Sequence, residues 1–170
     1  MPFLSEYAQR KKIEYFLKPI PPDAAILEIG CGSKWVGEYL KSTGRLNYTG
    51  LDLVPPADIV GDVNDWRRLG IAPESFDVII AFEVVEHVDC FQACYDMLRP
   101  GGRMLITTPL PSMDWALRIM EALGLNQKRT SPHNHLVRLA DVPGFEKTVL
   151  RTVGFLSQWA ILTKPQRASA

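Results

Sequence analysis

The chain has 170 residues, 46% of them hydrophobic and 22% charged, and nineteen Lys+Arg against nineteen Asp+Glu leave a formal net charge of +0. That length suits one domain spanning 1–170 with a sizeable core. The balanced charge argues against a nucleic-acid partner, since neutralising phosphates needs a basic excess, and favours a small or neutral substrate. Cys31, Cys90 and Cys94 form neither a CxxC pair nor a disulfide framework, which argues against structural zinc and for a reduced compartment. No run reaches the ~18 apolar residues of a membrane span. The opening MPFLSEYAQRKK places charges after apolar residues, the wrong order for a signal peptide, so the expectation is a cytoplasmic protein.

In chain order, Ile13, Phe16, Leu17 and Ile20 predict a helix over 3–18 within an N-terminal helical segment 1–22, ended by Pro19, Pro21 and Pro22. AAILEIG (24–30) reads as a buried strand stopping at glycine. Trp35, Val36, Tyr39 and Leu40 predict a helix over 34–43, with Ser33 as its N-cap. NYTGLDL (47–53) and ADIV (57–60) read as strands, followed by a helical turn near 64–69. FDVIIAF (76–82) is a continuous apolar strand; Val88, Phe91, Tyr95 and Leu98 mark a helix, and Pro100-Gly101-Gly102 stops it before the strand RMLITT (103–108). Alternating helices and apolar strands predict an α/β sandwich around a parallel sheet covered on both faces. EKTVLRTV and LSQWAILT flank Gly154-Phe155 without a helix between them, which predicts an antiparallel hairpin at one edge.

The sharpest feature is Glu28-Ile29-Gly30-Cys31-Gly32 between a strand and a helix. Glycine there allows positive φ and lets backbone amides approach a ligand at the carboxyl end of the sheet. A dinucleotide fingerprint would want a third glycine at position 35, where Trp35 stands, and no GxxxxGK[ST] occurs anywhere. Asp52 ends the next strand about twenty residues on, where an acid bonds ribose hydroxyls. The pattern suits a nucleoside without a pyrophosphate.

With these residues in place, the chain resembles the class I S-adenosylmethionine-dependent methyltransferases. ILEIGCGS resembles that family's first motif, Asp52 its ribose acid, Asp62-Val63 its adenine pair, FDVIIAFEVVEHV its fourth motif, and MLRPGGRMLITTP its fifth-strand motif. The resemblance covers roughly 24–164 and looks closest to the type-11/type-12 small-molecule branch, which includes ubiquinone-biosynthesis methyltransferases. It implies a Rossmann-like, doubly wound, mostly parallel seven-stranded sheet with an antiparallel C-terminal hairpin. It further implies S-adenosylmethionine as cofactor, held by Glu28, Gly30, Gly32, Asp52, Leu53, Asp62, Val63 and Phe82. Glu28 is expected to anchor the turn. One departure stands out: the family's third motif glycine is Lys34 here, read as pointing to solvent from the first helical turn, with a reach to the cofactor's methionine carboxylate as the alternative.

Methyl transfer from a sulfonium needs positioning first, and a base only where the acceptor loses a proton. Glu83 and His87 are expected to line an acceptor pocket, and His133 and His135 follow the fifth strand as further candidates. The catalytic candidates are therefore Glu83, His87 and His135, with no metal. In an alternative reading, Glu83, Glu86, His87 and His135 hold a divalent ion in the manner of ribose 2′-O-methyltransferases. A second alternative is a non-catalytic, methyltransferase-like partner subunit. No NPPY-like tetrad follows the fourth strand, which tilts the acceptor atom toward oxygen or carbon.

Segment 110–135 is read as a cap or lid. Within it, MDWALRIMEALGL (113–125) carries only Asp114, Arg118 and Glu121 as charges. It suits burial on the sheet edge, a lid over an apolar acceptor, a homodimer or partner contact, or a peripheral membrane contact. Cys90 and Cys94, one helical turn apart, are expected to be buried filler.

Overall fold

The computed structural model describes residues 3–110, 137–153 and 157–167. Helix α1 (Phe3–Lys12) continues as a π-helical turn over Ile13–Leu17. Strand β1 (Ile26–Ile29), helix α2 (Trp35–Ser42), β2 (Tyr48–Asp52) and β3 (Ile59–Val60) follow. Then come β4 (Phe76–Phe82), α3 (Phe91–Met97), β5 (Leu98–Pro109), β6 (Glu146–Val153) and β7 (Ser157–Thr163). The seven strands form one sheet in the order β3-β2-β1-β4-β5-β7-β6. All pairings among β1 to β5 are parallel, and β7 runs antiparallel to both β5 and β6.

Alternation along β4 sets the two layers. Val78 and Ile80 pack with Phe16, Leu17, Ile20, Val36, Leu40, Leu105 and Trp159 on the face covered by the π-helical turn, the chain just after it and α2. Ile79 and Ala81 face the other way, toward Leu27, Ile29, Trp66, Cys94, Met97 and Ile106 under α3. Side chains of a strand point alternately to opposite faces, so a strand covered on both sides must be apolar throughout. Burying Ile79 and Ile80 completely contributes roughly 1.5–3 kcal/mol each. Cys90 and Cys94, 1% and 0% exposed, fill this second layer as expected.

Three local readings are corrected. The N-cap of α2 is Lys34 rather than Ser33; it has φ 59° and makes no side-chain capping bond. Lys34 therefore stands before the helix in a left-handed conformation instead of on its first turn. Helix α3 begins at Phe91, leaving Val88 in the preceding turn, and ends at Met97. Strand β5 starts at Leu98, ahead of Pro100-Gly101-Gly102, because Leu98 already pairs with Phe76; the register shifts before Arg103 meets Val78. Among the described residues, no helix is long and apolar enough to cross a membrane. The 113–125 segment, His133 and His135 lie outside the described residues.

Candidate functional site

The parallel strands β1, β2 and β4 end together, and the chain reverses its order there, with β2 and β4 on opposite sides of β1. Such a point opens a crevice at the carboxyl edge of an α/β sheet. The glycine turn fills its floor. Leu51 O accepts the N–H groups of both Gly30 (2.8 Å) and Cys31 (3.3 Å), which pins the turn to the end of β2. Gly30 has φ 72°, and a β-carbon there would come within 2.7 Å of Val84 Cγ2, so any side chain would both strain the backbone and push Val84 aside. The next glycine, Gly32, donates its N–H to Asp52 Oδ2 at 2.9 Å. Asp52 Oδ1 also accepts from Val54 N–H at 3.4 Å, at the weak end of hydrogen bonding.

Leu53, beside Asp52, is 69% exposed, an apolar surface next to a carboxylate at the crevice wall. Further along, Asp62 Oδ1 accepts the N–H of Asn64 at 2.8 Å and caps the short 3-10 turn Val63–Asp65. Val63 itself is buried beneath that turn. Across the crevice, Phe82 ends β4 with its ring stacked on Trp35 (centroids 6.3 Å apart, planes at 16°) and 5.4 Å from Phe16.

Glu28 is buried on β1, where the Tyr48 hydroxyl donates to its Oε2. Burial pushes its carboxyl up to about 7; the Tyr48 bond works against that shift and the Asp52 charge adds to it. The Tyr48 hydroxyl is pushed up as well, by burial and by the Glu28 charge. Small residues make room for this pair: a β-carbon at Gly37 would lie 2.6 Å from the Tyr48 ring. Glu28 thus anchors the layer under the turn through its side chain.

At the end of β4 the structure sorts the acidic candidates. Glu83 has φ 57°, takes Thr107 Oγ1 at 2.7 Å and Lys12 Nζ at 3.0 Å on the same Oε1, and is 44% exposed at its side chain. Glu86 is 1% exposed and accepts Thr108 Oγ1 at 2.9 Å. Adjacent threonines of β5 point to opposite faces, so the two carboxyls are held on opposite sides of the sheet. Burial first, and the Glu83 charge second, raise the Glu86 carboxyl to about 8, which keeps it protonated near neutral pH. His87 is exposed on the turn after β4, with its N–H on Val84 O at 2.8 Å. Among the described residues, no three His, Cys, Asp or Glu side chains gather as a metal site, and Glu83, Glu86 and His87 form no such cluster. Sequence reading missed the burial of Glu86 and the arrival of Lys12. The first could have been suspected only from the two threonines of β5.

A family model described as a methyltransferase domain matches residues 3–143, most of the chain. The chain belongs to the methyltransferase-domain family. Its sheet order and antiparallel last strand are those of the class I S-adenosylmethionine-dependent methyltransferases that the motifs resemble. Two curated relatives carry the name ubiquinone biosynthesis O-methyltransferase. The one from Xylella fastidiosa is 30% identical over 116 residues, covering 57% of this chain and 47% of the relative. The one from Idiomarina loihiensis is 27% identical over 158 residues, covering 76% and 65%. The chain therefore spans about half to two thirds of the length of these relatives. Among solved structures, a chain of the Haloferax volcanii complex between the Trm112 methyltransferase activator and a methyltransferase has a TM-score of 0.69 at 13% identity. That match covers 99% of this methyltransferase-domain chain and 98% of the other. Haemonchus contortus phosphoethanolamine N-methyltransferase 2, solved with S-adenosyl-L-methionine, has a TM-score of 0.67 at 16% identity and covers 94% and 53%. These likenesses establish the fold.

Proposed function

We propose that this methyltransferase-domain chain binds S-adenosylmethionine and transfers its methyl group to an oxygen of a small-molecule acceptor. The observation that carries the reading is the joined pair Gly32–Asp52 in the crevice floor, with a carboxylate fixed by the turn's own amide at 2.9 Å. The residues fit the cofactor on chemical grounds. Gly30 and Gly32 keep the floor free of side chains for the methionine end. Asp52 offers the paired acceptor oxygens that vicinal ribose hydroxyls require, and exposed Leu53 offers an apolar face for a purine. Asp62 and the backbone of Val63 are the adenine-edge candidates, with Asp62 already oriented by its bond to Asn64.

When bound, the cofactor supplies an electrophilic methyl on a sulfonium, a leaving group that needs no further activation. The protein's part is alignment and exclusion of water. Phe82, backed by Trp35 and Phe16, provides the apolar wall at the end of β4. Glu83, on the same edge, is the group we assign to the acceptor's proton, with exposed His87 as a second candidate. The names of the curated relatives favour oxygen as the acceptor atom. The test is incubation of the chain with methyl-labelled S-adenosylmethionine and fractionated small-molecule extracts. Label in an alkali-stable methyl ether supports the reading; label only in amines, or no transfer at all, contradicts it.

A further inference from the structure

The N-terminal helix enters the site by a single charged side chain. Lys12 Nζ lies 3.0 Å from Glu83 Oε1 and 5.1 Å from the Phe82 ring centroid, and its side chain is only 12% exposed. Glu83 is fixed from the sheet side by Thr107 while its backbone sits at φ 57°, a conformation that a β-carbon disfavours. A strained residue at a strand end, held by an ion pair to an element 71 positions away, is not what simple packing of a helix requires.

Helix α1 and its continuation divide into two parts of different character. After the π-helical turn begins, Phe16, Leu17 and Ile20 are fully buried. Tyr15 and Phe16 join an aromatic chain that runs through Trp159 to Phe82. Before it, residues 6–12 are exposed or half-buried, with Tyr7 54% exposed. Lys11 makes local contacts along the same helical stretch, to Glu14 in the π-helical turn at 3.0 Å and over the Tyr7 ring. Among the described residues, Lys12 is the polar link from this half of α1 to the sheet. The junction is Ile13–Leu17, where Lys18 N–H reaches back to Ile13 O at 2.9 Å. Single π turns inside helices recur at functional sites because they interrupt the regular ladder.

We infer that residues 3–12 form a strap over the end of β4, hinged at the π-helical turn and latched by the Lys12–Glu83 ion pair. The strap lies against Phe82 and Glu83, the acceptor-side wall of the crevice, so its opening governs how quickly bound cofactor leaves. This second half rests on the methyl-transfer reading; the latch itself does not.

Two measurements on the full chain keep these apart. Hydrogen exchange read by mass spectrometry, without ligand, follows the amides of residues 6–12. Wild type protects them; Lys12→Met raises their exchange about fivefold, the factor that a partly buried ion pair of about 1 kcal/mol gives, and Lys12→Arg restores protection. The amides of β4 stay equally protected in all three, which shows that the fold is intact. Exchange in Lys12→Met equal to wild type, or wild-type amides without protection, overturns the latch. The second measurement is the dissociation rate of S-adenosylmethionine followed by tryptophan fluorescence, Trp35 being stacked on Phe82. Lys12→Met releases it severalfold faster if the strap gates the site. An unchanged rate overturns the gating, whereas absence of cofactor binding in wild type as well overturns the methyl-transfer reading and leaves the exchange result to decide the latch.

Discussion

Asp52 Oδ2 accepts the N–H of Gly32 at 2.9 Å, so the residue that ends β2 also holds the amide at the mouth of the glycine turn. The backbone of Asp52 meanwhile accepts Gly61 N–H at 2.9 Å and carries the pairing to β3. One residue thus joins turn, strand and sheet edge by both its side chain and its main chain. Replacing the carboxylate by a methyl group breaks the charge-assisted bond to Gly32 N–H and the weak one to Val54 N–H, and leaves the main-chain pairing intact. Asp52→Ala is therefore expected to lose about 1–2 kcal/mol of stability in urea titration and to stay folded. Unfolding of the variant under native conditions would show that the bond matters far more than this geometry implies.

Gly30 resists replacement on two counts. A β-carbon there meets Val84 Cγ2 at 2.7 Å and the residue has φ 72°. Overpacking and left-handed strain together predict a loss of about 3 kcal/mol for Gly30→Ala. Adding Val84→Ala relieves the collision and not the strain, so the double variant should be less destabilised than the sum of the singles by at least about 1 kcal/mol in a urea-melt cycle. Strict additivity would mean that Val84 does not confine the turn.

Lys34 presents the opposite case. It stands where the family's motif has glycine, yet keeps φ 59° without a capping bond in return. Lys34→Gly should raise stability by about 0.5–1 kcal/mol, the left-handed penalty less glycine's extra freedom in the unfolded chain. A fall in melting temperature would place Lys34 in an interaction that outweighs the strain.

Two buried carboxyls set a pH dependence with a definite sign. Glu28 and Glu86 rise from 4.5 to about 7 and about 8, mainly through burial. Between pH 4.5 and those values the folded chain keeps protons that the unfolded chain has lost, so stability falls as pH rises. The slope is about 1 kcal/mol per pH unit for each group. Urea melts at pH 5, 6.5 and 8 should show this decline in wild type and a flatter profile in Glu28→Gln/Glu86→Gln. A double variant with the wild-type slope would contradict the assignment.

Much of the architecture was legible because burial on both faces writes itself into composition. FDVIIAF predicts β4 at its observed bounds, and EKTVLRTV and LSQWAILT, with no helical run between them, predict the antiparallel pair β6 and β7. The glycine turn and Asp52 were legible for a similar reason, since close backbone approach restricts residue choice at fixed spacing. What stayed hidden depends on contacts across the chain. Glu86 enters the sequence reading only as a candidate metal ligand, and its burial beside Thr108 shows only in space. Lys12 follows Arg10 and Lys11 in the sequence, and nothing local marks it as the cation that meets Glu83. Ser33 has the chemistry of an N-cap, but the left-handed residue after it moves the helix start to Trp35.

The central claim is that the crevice floored by Gly30–Gly32 and walled by Asp52 is the S-adenosylmethionine site. Isothermal titration of S-adenosylmethionine into wild type and into Asp52→Ala tests it most directly. We expect one site per chain in wild type and binding at least about tenfold weaker in Asp52→Ala, since two ribose hydroxyls lose their shared acceptor. No heat of binding in wild type, or equal affinity in the two proteins, would contradict it.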